Sequence, residues 1–194
     1  MNDLAYVKGV MEGDGSIDRG NQNRPKHGPG KPRLRLEVTS KKFAASFSEA
    51  LARLNLIPKS YGQDRLTMLK GYACRNHTYT VRATCGEALL DELASLNVED
   101  VNLGLDYIKG FFESEGHFRV TYYSHRECWQ WKITNKDLAK LARIKRILSL
   151  IGIKSTIYMY ANGVHILQIQ RRSDIEHLQA LGITKVCAKR RKEA

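Results

Sequence analysis

Two acidic side chains stand at matched places in this 194-residue chain. Asp14 is the ninth residue of the segment Tyr6-Val-Lys-Gly-Val-Met-Glu-Gly-Asp-Gly15, and Glu115 is the ninth of Tyr107-Ile-Lys-Gly-Phe-Phe-Glu-Ser-Glu-Gly116. Five of the ten positions are identical and the rest exchange residues of similar size or charge. The copies lie about half the chain apart, which is the mark of an internal duplication. Two carboxylates brought together at a common axis would repel each other. A divalent cation relieves that repulsion, and paired acids on bound metal are the chemistry of phosphodiester hydrolysis. Standing alone, either acid would read as an ordinary surface turn residue, because Asp-Gly is common in turns. Two in matching positions of duplicated halves shift the balance to a site.

The acids need elements to carry them. The first segment predicts a helix from Asp3 to Glu12, with Gly9 in its middle. A mid-helix glycine costs about 1 kcal/mol relative to alanine. Its repetition at Gly110 predicts two helices packed backbone to backbone through Gly9 and Gly110, with the small Gly13 and Ser114 extending the contact. Parallel packing would then set Asp14 and Glu115 side by side, just past the two helix ends, with Gly15 and Gly116 as helix stops. Glu12 and Glu113 repeat as well, and one turn back they are expected to make structural contacts at the helix pair.

The repetition continues beyond the acids. Val38-Thr-Ser-Lys-Lys42 matches Ile133-Thr-Asn-Lys-Asp137. Each precedes a helical pattern, Phe47, Leu51 and Leu54 in one half and Leu141, Ile144, Leu148 and Ile151 in the other. A shorter amphipathic helix closes each half, through Leu89, Leu93 and Leu96 and through Ile175, Leu178 and Leu181. Thr84-x-x-Glu87 and Ser173-x-x-Glu176 have the form of capping boxes for these helices. Strand-like runs fill the gaps, among them 33–39, 79–84, 156–160 and 164–170, with Asn162-Gly163 as a hairpin turn. Residues 20–32, rich in proline, read as a loop. The expected fold is α+β: a pseudo-twofold duplication of an αββαββα unit with two antiparallel four-stranded sheets. Its halves are residues 1–96 and 105–194, joined by a linker at 97–104.

Charge indicates the partner. Thirty-two Lys and Arg against 20 Asp and Glu give a formal net charge of +12, which suits a polyanion, with nucleic acid first. Gly28-Pro-Gly-Lys31 has no hydroxyl residue after the lysine, so it is not a phosphate-binding loop. The four cysteines form no C-x-x-C pair and predict reduced thiols in an intracellular protein. No apolar run of about 18 residues suggests a membrane span, and charges interrupt the N-terminus where a signal peptide would be apolar.

Strand alternation assigns an outward face. In the first half it carries Arg33, Arg35, Glu37 and Thr39. In the second it carries His117, Arg119, Thr121 and Tyr123, then Gln130, Lys132 and Thr134, Tyr158 and Tyr160, and Gln168 and Gln170. Tyr122 and Met159 are expected inside. Residues 60–66 and 78–84 show no clear side; Gln63, Arg65 and Arg82 are their candidates. Arg, Lys and Gln can read base edges in the major groove. A solvated polar sheet face is the plainer reading. The basic run Lys189–Lys192 is either a backbone contact or a frayed tail.

Val7–Gly15 and Ile108–Gly116 resemble two copies of the LAGLIDADG motif, and the resemblance extends over essentially the whole chain. It implies a homing endonuclease, acting as a pseudo-symmetric monomer. Such a protein cuts both strands of a long double-stranded DNA site to leave 3′ overhangs. The two sheets would form a saddle in the major groove, with the motif helices at the interface. The resemblance assigns Asp14 and Glu115 as ligands of Mg2+, two or three ions in all, with Mn2+ able to substitute. The Gly13 and Ser114 carbonyls would assist. It places Lys41 and Lys136 at the ends of the second strands as catalytic lysines that stabilise charge at the scissile phosphate. Ser40 and Asn135 stand where a water-orienting glutamine is common. Glu in the second motif, where Asp is usual, implies unequal strand cuts. Localisation would be cytoplasmic in a prokaryote and organellar in a eukaryote. The rivals are an intron RNA maturase or a non-cleaving DNA-binding regulator on the same fold.

Overall fold

The computed structural model describes residues 1–19, 31–69, 72–123, 126–160 and 162–184, and within these all side chains except those of 65–69, 72–76 and 123. Most of the loop expected at 20–32, the run Lys189–Lys192 and the side chains of Arg65 and Tyr123 lie outside the described residues.

Each half repeats one order of elements. The first runs α1 (Asp3–Glu12), β1 (Ser16–Asp18), β2 (Arg33–Val38), α2 (Lys41–Arg53), β3 (Lys59–Leu69), β4 (Tyr72–Thr84) and α3 (Glu87–Ser95). The second runs α4 (Val101–Glu115), β5 (Gly116–Tyr123), β6 (Arg126–Asn135), α5 (Leu138–Leu150), β7 (Thr156–Met159), β8 (His165–Ile169) and α6 (Arg172–Ala180). Both sheets are antiparallel and four-stranded, in the equivalent orders β1-β2-β4-β3 and β5-β6-β8-β7. The α+β duplication expected from the sequence is therefore the fold.

Each half has its own apolar core. In the first, Leu34, Leu36, Val81 and Ala83 of the sheet pack on Phe43, Phe47 and Leu51 of α2 and on Val7 and Val10 of α1. In the second, Trp131, Ile133, Leu167 and Ile169 pack on Leu141, Ile144 and Leu148 of α5 and on Ile108 and Phe112 of α4. Strand period two supplies the sheet side of each core and helical period supplies the other. Among the described residues no helix is long and apolar enough to cross a membrane.

Several local expectations give way. The last four residues of the expected linker form the first turn of α4, because the Asp100 side chain caps it by accepting from the main-chain N–H groups of Asn102 and Leu103. Neither capping box forms: α3 starts after Gly86 and α6 after Arg171, both without a side-chain cap. Glu176 instead accepts from Arg172 Nε at 2.7 Å, and Glu87 pairs with Arg19 at 3.6 Å. Leu181 is 41 % exposed rather than on the buried side of α6. The turn at Asn162–Gly163 does form, with Gly163 at φ +76°. The halves also differ in reach: the first extends its β3–β4 hairpin, with strands of 11 and 13 residues, and the second its β5–β6 hairpin, with strands of 8 and 10.

Candidate metal centre and nucleic-acid face

The helices α1 and α4 pack directly on each other. A Cβ added at Gly9 would run into the Tyr107 carbonyl and lie 2.8 Å from the Phe111 nitrogen. One added at Gly110 would meet the Tyr6 carbonyl and lie 3.0 Å from the Val10 nitrogen. Only glycine fits at either place, and the approach is reciprocal. Further along, Gly13 faces Ser114, whose Oγ would be 2.9 Å from an added Cβ. The contacts advance in the same sense on both helices, so the two run parallel and their C-terminal ends meet.

Polar groups lock this contact symmetrically. Tyr6 donates its hydroxyl to Glu113 at 2.5 Å, and Tyr107 donates to Glu12 at 2.8 Å. Burial raises the pKa of both tyrosines far above the usual phenol range, and the neighbouring carboxylate adds to it in each case. Burial also raises the Glu113 carboxyl, against the Tyr6 hydrogen bond and the Lys109 charge, which lower it. Glu12 is less enclosed and faces two cations, Arg143 at 3.4 Å and Lys8 at 3.8 Å. Both glutamates thus make structural contacts at the helix pair, as expected.

The acids sit at the meeting ends. Asp14 is exposed and Glu115 half-buried. An added Cβ on Gly13 would be 3.4 Å from Glu115 Cγ, so the stem of Glu115 lies against the residue immediately before Asp14. The two acids are held differently. Asp14 lies past the end of α1, whereas Glu115 is the last residue of α4 and not beyond it. Neither Gly15 nor Gly116 is a left-handed helix stop; positive-φ glycines among the described residues are Gly152, Gly163 and Gly182. Both are small for a different reason. The chain folds straight back on the helix, and a side chain would strike Met11 Cα at 2.5 Å in one case and the Phe112 ring in the other.

Around this centre, Asn135 Nδ2 donates to Glu115 Oε1 at 3.4 Å. Ser40 at the matching place accepts from the Phe43 main-chain N–H at 3.1 Å and caps α2. Lys41 is the first residue of α2 rather than the end of a strand, while Lys136 lies between β6 and the Asp137 cap of α5. Both lysines are exposed. Among the described residues no three His, Cys, Asp or Glu side chains cluster as a metal site. The candidate donors are two carboxylates and the main-chain carbonyls beside them. Such an all-oxygen set fits Mg2+, which takes one or two protein carboxylates and leaves its other positions to water and phosphate.

Register settles the outward faces. Ser16, Arg35, Arg82 and Lys59 lie in one row across the first sheet, Asp18, Arg33 and Thr84 in the next, and Glu37, Thr80 and Tyr61 in a third. Gln63, paired with Thr78, continues this face. Arg82 and Gln63 are therefore on the same side as Arg33 and Arg35, and Arg65 occupies a register position opposite Asn76. Lys59 and Tyr61 were not singled out by alternation, although Tyr61 stacks under the Arg82 guanidinium at 5.5 Å. Arg35 pairs with Glu37 at 2.7 Å. Thr39 follows β2 and is exposed.

In the second sheet His117, Lys132, Gln168 and Thr156 form a row, with Arg119 and Gln130 beside it and Thr121 beyond. Thr134 and Tyr158 lie across Ile166 on the same side. Gln168 is only 9 % exposed, because the Tyr158 hydroxyl donates to its Oε1 at 2.7 Å. Tyr160 and Gln170 are exposed. Two residues expected inside are not: Tyr122 is 65 % and Met159 64 % exposed. They lie near the C-terminal ends of β5 and β7, where alternation does not imply burial.

Comparison with known proteins gives a consistent picture. Residues 103–190 match the family model of the LAGLIDADG-like domain. No curated protein matches the chain. Among solved structures, the homing endonuclease I-DmoI in complex with DNA and Mn is similar at 22% identity, covering 93% of this chain and 96% of that one, with a TM-score of 0.59. The N-terminal LAGLIDADG domain of DUF199/WhiA is similar at 14% identity, covering 97% and 85%, with a TM-score of 0.62. Full-length DUF199/WhiA from Thermatoga maritima gives 16% identity, 95% and 57% coverage, and a TM-score of 0.63. At these identities the likeness establishes the fold.

Proposed function

We propose that the chain, which matches a LAGLIDADG-like domain in its second half and repeats the same motif and fold in its first, is a two-motif LAGLIDADG protein and a site-specific, metal-dependent DNA endonuclease of the homing type. The observation that carries this reading is the meeting of the motif ends, with Glu115 lying against the residue before Asp14. Asp14 and Glu115 would hold Mg2+, with the Gly13 and Ser114 carbonyls beside them. When bound, the metal supplies an activated water and a counter-charge for the leaving oxygen. The protein's part is to place two carboxylates at one axis, so that each strand of a duplex meets one of them. Lys41 and Lys136 would offset phosphate charge. The outward rows of Arg33, Arg35, Arg82, Arg119 and Lys132 would bind the duplex, and an antiparallel ribbon fits the major groove. I-DmoI, of the same fold, has been solved in complex with DNA and Mn.

A second reading, a DNA-binding regulator or RNA maturase that does not cut, has one observation in its favour. The DUF199/WhiA domain is at least as similar in shape as I-DmoI. Retention of both acids favours the nuclease.

The test is incubation with Mg2+ and a plasmid carrying the uninterrupted sequence that flanks the gene. The wild-type protein should cut both strands. Asp14→Asn and Glu115→Gln should bind the plasmid without cutting both strands. Cutting by Asp14→Asn at the wild-type rate would remove the nuclease assignment. Binding without cutting by the wild-type protein would favour the second reading.

A further inference from the structure

The end of α1 is held by a residue from the opposite half. Lys140, on α5, donates its Nζ to the main-chain carbonyl of Glu12 at 2.8 Å, across 128 residues of sequence. That carbonyl belongs to the last residue of α1 and is one of the acceptors a helix end leaves unsatisfied. Asp14 lies two residues further on. One turn along α5, Arg143 reaches the Glu12 side chain at 3.4 Å. Two cations of the second half therefore grip the residue from which the Gly13-Asp14 turn departs. They also oppose the partial negative charge of the helix C-terminus.

The equivalent positions of α2 carry no cation. The third and sixth residues of α5 are Lys140 and Arg143; those of α2 are Phe43 and Ser46. Phe43 is buried in the first core. Glu113, the counterpart of Glu12, lies on a cleft of about 600 Å³ that Ser46 also lines, and its side chain accepts from Tyr6. Glu115 does not need the grip, because α4 runs on through it.

We propose that Lys140 is a positioning residue for the Asp14 metal site alone: by fixing the Glu12 carbonyl it orients the Gly13-Asp14 turn that α1 itself does not extend to hold. The inference rests on Asp14 and Glu115 being metal donors, as proposed above. Lys140 acts through the main chain and touches neither metal nor substrate. It makes the two metal sites unequal in a way that differs from the Asp-for-Glu difference between the motifs.

The experiment is a titration of Mn2+ into the full-length protein, read by water-proton relaxation, with one donor left at a time: Glu115→Gln keeps the Asp14 site and Asp14→Asn keeps the Glu115 site. Each of these proteins should bind Mn2+. Adding Lys140→Met to Glu115→Gln should raise the Mn2+ concentration needed about tenfold, the low end of what outer-shell partners of metal ligands are worth. Adding it to Asp14→Asn should change nothing, and Lys140→Arg in the Glu115→Gln background should restore much of the loss. An equal change in both backgrounds, no change in either, or tighter binding when Lys140→Met is added to Glu115→Gln would overturn the proposal. The last of these would mean that the lysine charge acts mainly to repel the ion. Absence of Mn2+ binding by the wild-type protein would overturn the metal-binding reading and this proposal with it.

Discussion

The Tyr6 hydroxyl donates to the Glu113 carboxylate at 2.5 Å across the helix pair, with both groups buried. Tyr107 and Glu12 repeat the bond with the roles of the halves exchanged. A hydrogen bond to a charged partner contributes about 1.5–3 kcal/mol. Tyr6→Phe should therefore lower unfolding free energy by about that amount in urea melts. Tyr107→Phe should cost less, because Glu12 keeps Arg143 and Lys8 as partners.

The raised pKa of Glu113 makes stability depend on pH with a definite sign. Burial is the main cause and raises the folded value above that of the unfolded chain. The folded state then binds the extra proton, so the full stability is present below the ordinary carboxylate range and falls as pH rises through the folded value. Glu113→Gln keeps an acceptor for Tyr6 and removes the titration. Urea melts between pH 4 and 8 should show the wild-type protein losing stability relative to Glu113→Gln as pH rises. A constant difference across that range would contradict the burial of a charge at the interface.

Gly9→Ala tests the close approach of the helices. In an isolated helix alanine would gain about 1 kcal/mol. Here its Cβ runs into the Tyr107 carbonyl, which is main chain and cannot rotate away. The melting temperature should fall, with an overpacking cost of about 1–3 kcal/mol or more. Gly86→Ala, where an added Cβ meets nothing within 4 Å, should be close to neutral.

Binding of duplex DNA should weaken steeply with salt if two basic sheet faces engage phosphates. Neutralising about 6–10 phosphates lowers affinity by roughly 10³–10⁵ between 50 and 200 mM salt. Arg35→Ala and Arg119→Ala should each flatten the plot of log affinity against log salt, measured by fluorescence anisotropy. A flat response in the wild-type protein would rule out a groove-filling duplex partner.

Much of this was legible in the sequence because it depends on local rules. The bounds of α1, the glycines at its contact and the alternation of β2 follow from period, size and repetition. Other features depend on tertiary structure. Lys140 looks like any exposed helix lysine, and only folding brings a carbonyl 128 residues away to its Nζ. The β3–β4 hairpin runs out to the pair Leu69 and Tyr72, past the stretches to which the sequence assigns a side. The capping-box patterns failed for the opposite reason: the right residue types are present, but α3 begins three residues after Thr84 and α6 one residue before Ser173, so neither hydroxyl stands at a cap position.

Among the described residues the extended ribbons are not related by the duplication. In one half the long arm is the third and fourth strands; in the other it is the first and second. A rod-like ligand laid along both sheets would meet a different arm at each end. Rotating it by half a turn would present every group to the wrong ribbon. A molecule built by copying itself has thereby acquired a head and a tail.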